Sequence, residues 1–197
     1  MEKEVKLKVL AEEVAKCTSC NLHQQRIKSV FARGNSESKL VFLGEAPGRS
    51  ENEQGLPFVG RAGKLLDDMI AWMGMSNQVY IMNVVKCWPP GNRKPLPEEV
   101  SACSGYLISQ LSIVNPRIIV TLGATATDAL LGAGDTISKR RGKIFDWNGY
   151  KIVPSFHPSY LLRNPSAKKY SAQDLTIVKT LLLSDLEVSK IESVTIS

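Results

Sequence analysis

Four short runs of near-continuous apolar residues punctuate the chain: Lys39–Leu43 leading into Gly44, Val79–Val85, Arg117–Leu122 leading into Gly123, and Lys151–Phe156. None alternates apolar with polar positions, so each reads as a strand covered on both faces. Between them the apolar spacing changes to three and four. Leu65, Leu66, Met69, Ile70 and Met73 form one stripe of a helix over residues 62–73 that stops at Gly74. Pro97 suits the first turn of a helix that carries Val100, Cys103, Leu107 and Leu111 on one face. A helix over 124–131 follows the third strand directly, and a final amphipathic helix runs from about residue 167 to 186. Strand–helix–strand alternation with long crossovers predicts an α/β fold, a three-layer α/β/α sandwich around a four-stranded, mainly parallel sheet. Ligands of such sheets sit outside the carboxyl ends of the strands. The loops after Leu43, Val85, Leu122 and Phe156 should therefore converge on one crevice. No repeat, low-complexity tract or long linker interrupts the pattern, and one domain over residues 1–197 is expected.

Composition narrows the class. A chain of 197 residues, 43% hydrophobic and 22% charged, is long enough for one substantial core. That excludes a disordered tail, a collagen-like rod and a small disulfide-stapled scaffold. No apolar run reaches the length of a spanning helix, and MEKEVKLKVLAEEVAK lacks the apolar block of a signal peptide. A soluble, cytoplasmic protein is expected. The net charge of +6 permits a polyanionic partner without requiring one.

Four cysteines, Cys17, Cys20, Cys87 and Cys103, suggest a metal or cluster site rather than two disulfides in a reducing compartment. Cys17 and Cys20 form a CxxC at the end of the first helix, whereas fifteen residues separate the second pair. Two zinc knuckles would show CxxC twice, so the asymmetric spacing suits the separate irons of a [4Fe–4S] cube better. Zinc, or two unrelated buried thiols, are the competing readings. A cluster here would staple segments together rather than move electrons in turnover.

Three loops carry candidate chemistry. GEAPGRSENEQGLPFVGRAG, residues 44–63, is rich in glycine but matches neither GxGxxG nor a P-loop. Its Phe58 is either a platform for a planar ligand or ordinary core. Asn83 ends the second strand, where an amide that donates and accepts at once can read a pyrimidine edge. Beyond it Lys86, Arg93 and Lys94 flank a Pro-Pro-Gly turn bearing Trp88, a combination suited to phosphate and base contact. His157 lies at the fourth strand's end in SFHPSYLLR, placed to stabilise developing negative charge. Leu161 and Leu162 either pack under this loop or wedge into a base stack. His23, just after the CxxC, reads as structural.

Taken together, GEAPG…ENEQGLPFVGRAG, NVVKCWPPGNR, the cysteine spacing and SFHPSYLLR resemble the family 4 uracil-DNA glycosylases, the iron–sulfur branch of that superfamily, in the family's order over roughly Cys17 to Lys179. The resemblance implies a monofunctional glycosylase that everts uracil from DNA, hydrolyses its N-glycosidic bond and leaves an abasic site for base excision repair. Phe58 would stack on the uracil, Asn83 would bond its O4 and N3 edge, and His157 would donate to O2. Backbone amides around Glu45 and Ala46 would line the pocket, and Glu51 would crowd C5 against thymine's methyl. Cys17, Cys20, Cys87 and Cys103 would hold the [4Fe–4S] cluster. Ser159, Leu161, Leu162 and Arg163 would enter the minor groove, while Lys86, Arg93, Arg163, Lys168 and Lys169 would contact the backbone.

Two departures bear on catalysis. Related branches place a water-orienting carboxylate where this chain has Ala46, as is usual in this branch, so Glu45, Glu51 or main-chain carbonyls are the candidates for that role. The family often has an acidic residue directly after the position of Glu51, where this chain has Asn52. The implied partner is uracil-containing DNA, single- or double-stranded, met by a monomer. Recruitment by a sliding clamp is left open, the tail after Lys179 showing no clear partner motif. A non-catalytic nucleic-acid-binding module would explain the charge and the cysteines. It would leave Phe58, Asn83 and His157 at three strand ends without a reason. A glycosylase of broader base scope is the alternative within the class.

Overall fold

The four apolar runs become β2 (Leu40–Gly44), β3 (Val79–Asn83), β4 (Ile118–Leu122) and β6 (Tyr150–Ser155), all mutually parallel in the order β3-β2-β4-β6. The computed structural model describes the backbone of residues 2–194 and side chains through residue 184. Two short strands that the apolar pattern did not predict, β1 (Arg33–Gly34) and β5 (Phe145–Trp147), pair antiparallel at either edge, so the sheet has six strands rather than four. With two and three residues, neither fully buried, they are too short for hydrophobic periodicity to register.

Alternation within the inner strands divides the core. Val41 and Leu43 face one side with Tyr80, Met82 and Ile119; Leu40 and Phe42 face the other with Val79, Ile81 and Val120. The first side is covered by α1 (Glu2–Lys16), α4 (Pro97–Val114) and α5 (Ala124–Leu131). The second is covered by α3 (Arg61–Trp72) and α8 (Lys168–Val194), giving the expected three layers. Short helices α2 (Arg49–Gln54), α6 (Ile137–Arg140) and α7 (Pro158–Arg163) lie in the connections. The predicted helices agree within a residue or two at their described ends, except that α8 continues past residue 186. Part of the tail after Lys179, where a partner motif was sought, lies outside the described side chains. No described helix is long and apolar enough to cross a membrane.

One buried polar cluster fixes the exit of β6. Asp174 on α8 has no solvent exposure, accepts a hydrogen bond from Ser155 Oγ at 2.7 Å and forms a two-pronged ion pair with Arg141. The Arg141 guanidinium also lies 5.8 Å from the centre of the Phe156 ring, the residue that leads into His157. Burial pushes the Asp174 carboxyl upward, against Arg141 and Ser155, which favour its charged form. Asp174→Ala leaves a largely buried guanidinium without its partner. It should lower stability by about 3 kcal/mol, read as a reduced urea midpoint at unchanged m; an unchanged midpoint would show that the pair contributes nothing net.

Candidate functional site

At the carboxyl ends of β2, β3 and β6 the surface opens into a cleft of about 520 Å³ lined by the loop from Glu45 to Glu51 together with Phe58, Asn83, Arg93, His157 and Arg163. Three of the four predicted loops therefore meet there. The loop after β4 lines no part of the cleft and backs it from behind, a Cβ built at Gly123 falling 3.2 Å from His157 Cβ.

Asn83 closes β3 directly opposite Gly44 in the ladder. A Cβ at Gly44 would lie 2.4 Å from Asn83 Oδ1 and 2.5 Å from Phe58 Cζ, so the bare backbone at 44 is the seat on which amide and ring meet. Asn83 is 1% exposed, and its Oδ1 is one of two buried side-chain polar atoms without a hydrogen-bond partner among the described residues. A buried acceptor left unpaired costs roughly 1–3 kcal/mol, which a ligand bringing an N–H into the cleft would relieve.

Phe58 is held in the left-handed region, φ 56°, where a bulky residue is strained. Its neighbours over-determine that conformation. Glu51 Oε1 accepts from the N–H groups of Val59 and Gly60, both at 2.9 Å. Arg33, from the edge strand β1, donates to Pro57 O at 2.9 Å and Phe58 O at 3.4 Å. A side chain at Gly63 would strike Phe58 O at 1.8 Å, so α3 can start this close to the loop only with glycine there. The ring ends 6% exposed in the core facing α3 and stacks on His157, centroids 5.8 Å apart and planes 30° apart. Core member and cleft wall are thus one residue.

His157 is the N-cap of α7. Pro158 occupies the first helical position and has no N–H, so the first free donor is Ser159 N–H, which His157 Nδ1 accepts at 3.1 Å. Ser159 Oγ lies 2.7 Å from the same nitrogen. An occupied acceptor at Nδ1 puts the proton of the neutral ring on Nε2. Burial, with the Arg163 charge second and Glu51 opposing, pushes the imidazole down to about 4. The ring is therefore a neutral donor near pH 7.

Of the candidates for orienting a water, the carbonyls of Gly44 and Glu45 already accept from Val84 N–H at 2.9 Å and Val85 N–H at 3.2 Å. Glu51 is engaged by the loop. Glu45 lines the cleft, with Oε2 hydrogen-bonded by Thr125 Oγ1, a partner that no sequence pattern marked. Asn52, at the departure from the family pattern, is 1% exposed and accepts from Ile27 N–H at 2.9 Å, tying the α2 loop to the segment after the cysteine pair.

Two expectations need correction. Lys86 cannot reach a phosphate: it is 1% exposed, its Nζ donates to Asn83 O at 2.6 Å, and burial pushes the ammonium down to about 8. Leu161 is 1% exposed and packs with Phe156 and Ala167, so it lies under the loop instead of wedging into a stack. Leu162 is half-buried. Ser159 and Arg163 do line the cleft, and Lys168 and Lys169 are exposed. Arg93 lines it too, though its guanidinium grips both oxygens of Glu99, at 2.8 and 2.6 Å. Trp88 donates to Asn92 Oδ1 at 2.7 Å within its turn.

The four cysteines line one cavity, where the end of α1, the loop after β3 and α4 come together. Arg26 braces it, donating to Cys17 O at 2.7 Å and to Cys87 Sγ at 3.5 Å. His23 Nδ1 lies 2.7 Å from Cys20 O, consistent with its structural reading. Burial pushes the Cys103 thiol up to about 11, with Lys86 pulling the other way.

A family model, the uracil-DNA glycosylase superfamily, matches residues 31–180. The type-4 uracil-DNA glycosylase of Thermotoga maritima is 45% identical over 187 residues, covering 93% of each chain. That of Saccharolobus solfataricus is 44% identical over 188 residues, covering 90% of this chain and 87% of its own. A type-5 uracil-DNA glycosylase of Pyrobaculum aerophilum is 34% identical over 147 residues, or 65% and 64% of the two chains.

The lowered imidazole has a thermodynamic signature. Between about 4 and 6.5 the unfolded chain binds a proton that the folded one refuses, so this group makes stability rise with pH across that window. At 1.36 kcal/mol per pH unit, the full contribution is roughly 3 kcal/mol. Urea melts at pH 4.5 and 6.5 should show a steeper pH dependence for the wild type than for His157→Gln. Equal slopes would mean that the ring is not buried neutral.

Proposed function

The chain belongs to the uracil-DNA glycosylase superfamily, among its type-4 enzymes, and on that premise we propose how its cleft releases uracil from DNA. It is a hydrolase that cleaves the N-glycosidic bond of uracil in DNA, leaves an abasic site and so begins base excision repair.

A base within a duplex is out of reach, so the nucleotide must be everted at a cost of a few kcal/mol of stacking and pairing. Arg163, with the exposed Lys168 and Lys169, is suited to offset part of that cost at the phosphates. Phe58 forms the wall against which the ring lies. Asn83 Oδ1 accepts the N3 hydrogen while its NH₂ donates to O4, and this otherwise unpartnered buried acceptor is the observation that carries the reading. As the bond from N1 to C1′ breaks, its electron pair passes to the base and spreads onto O2. His157 Nε2–H donates to that oxygen, and a donor so placed in a water-poor site is worth roughly 2.7–4 kcal/mol. Glu45 orients the water that adds to C1′ and takes up its proton. Glu51 shapes the cleft by holding the Phe58 loop and crowds the side where C5 would lie. The cleft is complete within one chain, which supports action as a monomer.

Cys17, Cys20, Cys87 and Cys103 would hold a [4Fe–4S] cluster. Four thiols around one cavity suit it, and their asymmetric spacing, a single CxxC with two separate cysteines, favours a cube over a lone zinc. The bound cluster would supply a cross-link between α1, the β3 loop and α4; no step of base release passes through it.

The decisive experiment incubates the protein with a uracil-containing oligonucleotide and reads strand cleavage at the abasic site. His157→Ala should slow single-turnover release on the order of 100-fold or more with DNA binding nearly intact, and an undiminished rate would refute its role. Cys103→Ala should bleach the brown colour of the purified protein and lower its Tm. A colourless wild type containing zinc would end the cluster assignment.

A further inference from the structure

The junction of β4 with the first turn of α5 touches no part of the cleft, yet two of its residues stand directly behind the two groups to which chemistry has been assigned. Gly123 lies against His157 Cβ, and Thr125, 7% exposed, donates its hydroxyl hydrogen to Glu45 Oε2. The turn is itself braced. Thr127 Oγ1 donates to Gly123 O at 2.8 Å and lies 2.9 Å from Thr121 Oγ1, which is fully buried in β4. Thr125 thus donates from a pinned helix start, eighty residues from the carboxylate it meets.

We propose that Thr125 is a positioning residue for hydrolysis: by occupying Oε2 of Glu45 it fixes the carboxylate so that Oε1 faces the cleft and orients the attacking water. The geometry favours this for three reasons. Among the described residues no other group donates to the Glu45 carboxylate, and Oε1 accepts no hydrogen bond. A carboxylate on a half-buried side chain would otherwise rotate between rotamers, and a misplacement of about 1 Å costs about 100-fold in rate. The main-chain carbonyls that might have substituted are engaged by Val84 and Val85. This assignment also accounts for the fourth strand end, which the fold brings to the site and which contributes no lining residue.

The inference rests on Glu45 orienting the water, and the test separates the two. Single-turnover rates and oligonucleotide affinities are measured for Thr125→Val, Thr125→Ser, Glu45→Gln and the Thr125→Val/Glu45→Gln double variant, each checked for a wild-type Tm within a few degrees. Thr125→Val keeps the shape and removes the hydroxyl, and it should slow release by about tenfold or more with affinity unchanged. Thr125→Ser restores the donor and should recover most of the rate, which also serves if the valine variant folds poorly. In the double variant the threonine substitution should add nothing to the loss from Glu45→Gln, because both act through one carboxylate. A slow Glu45→Gln with a wild-type Thr125→Val overturns the inference alone, as does a double variant in which the two losses multiply. A Glu45→Gln variant that releases uracil at the wild-type rate overturns the assignment of Glu45 itself.

Discussion

Glu51 sits 9% exposed at the foot of α2 and spends one oxygen on two successive backbone N–H groups, those of Val59 and Gly60. Those two bonds close the long loop after β2 upon itself and hold Phe58 at a backbone angle it would not otherwise adopt. Once Phe58 is fixed, its ring has one place to go, over Gly44 and beside Asn83, with His157 against it. The site is therefore less a set of side chains pointing at a ligand than a loop locked onto the end of a sheet. Loss of that grip would release local strain of order 1–3 kcal/mol and disperse the ring, the amide and the imidazole together.

How much of this was legible in the sequence depends on the physical signal each part leaves. The inner strands announced themselves because they are buried on both faces and include a polar residue only at a cost, so Leu40–Gly44 reads as an unbroken apolar run and Ile118–Leu122 as one broken only by Thr121, whose hydroxyl meets Thr127. The edge strand β1 leaves no such trace, yet its Arg33 holds the carbonyls of Pro57 and Phe58. Asn83 and His157 were found because they stand at or just past strand ends, and Phe58 because it lies in the glycine-rich loop that follows the first of the predicted strands. Thr125 was not, since a threonine in the first turn of a helix is unremarkable until its partner, far away in the chain, is known.

Charge at a sequence position did not reveal where the charge lies. Lys86 occupies a basic stretch beside Trp88 and Arg93, and in that company it reads as a phosphate contact. The fold turns it inward, where its ammonium bridges from the carbonyl of Asn83 toward Cys103. Leu161 erred in the same direction: one residue's rotation along α7 separates a side chain facing DNA from one packed beneath the helix, and sequence spacing in a six-residue helix cannot resolve that rotation. Lys86 also joins two parts that the sequence presents separately, since the same residue touches the strand end bearing Asn83 and stands next to Cys87.

The solitary oxygen of Asn83 has a consequence for which bases are refused. Folding has already stripped that atom of water, and no described residue compensates it. A visitor is judged by whether it arrives with a hydrogen at the matching position. Cytosine presents a lone pair at ring nitrogen 3 and an amino group at carbon 4, so it would set acceptor against acceptor and donor against donor. If Asn83 reads the base as proposed, the undamaged base would be opposed by the amide in the orientation it holds beside Gly44.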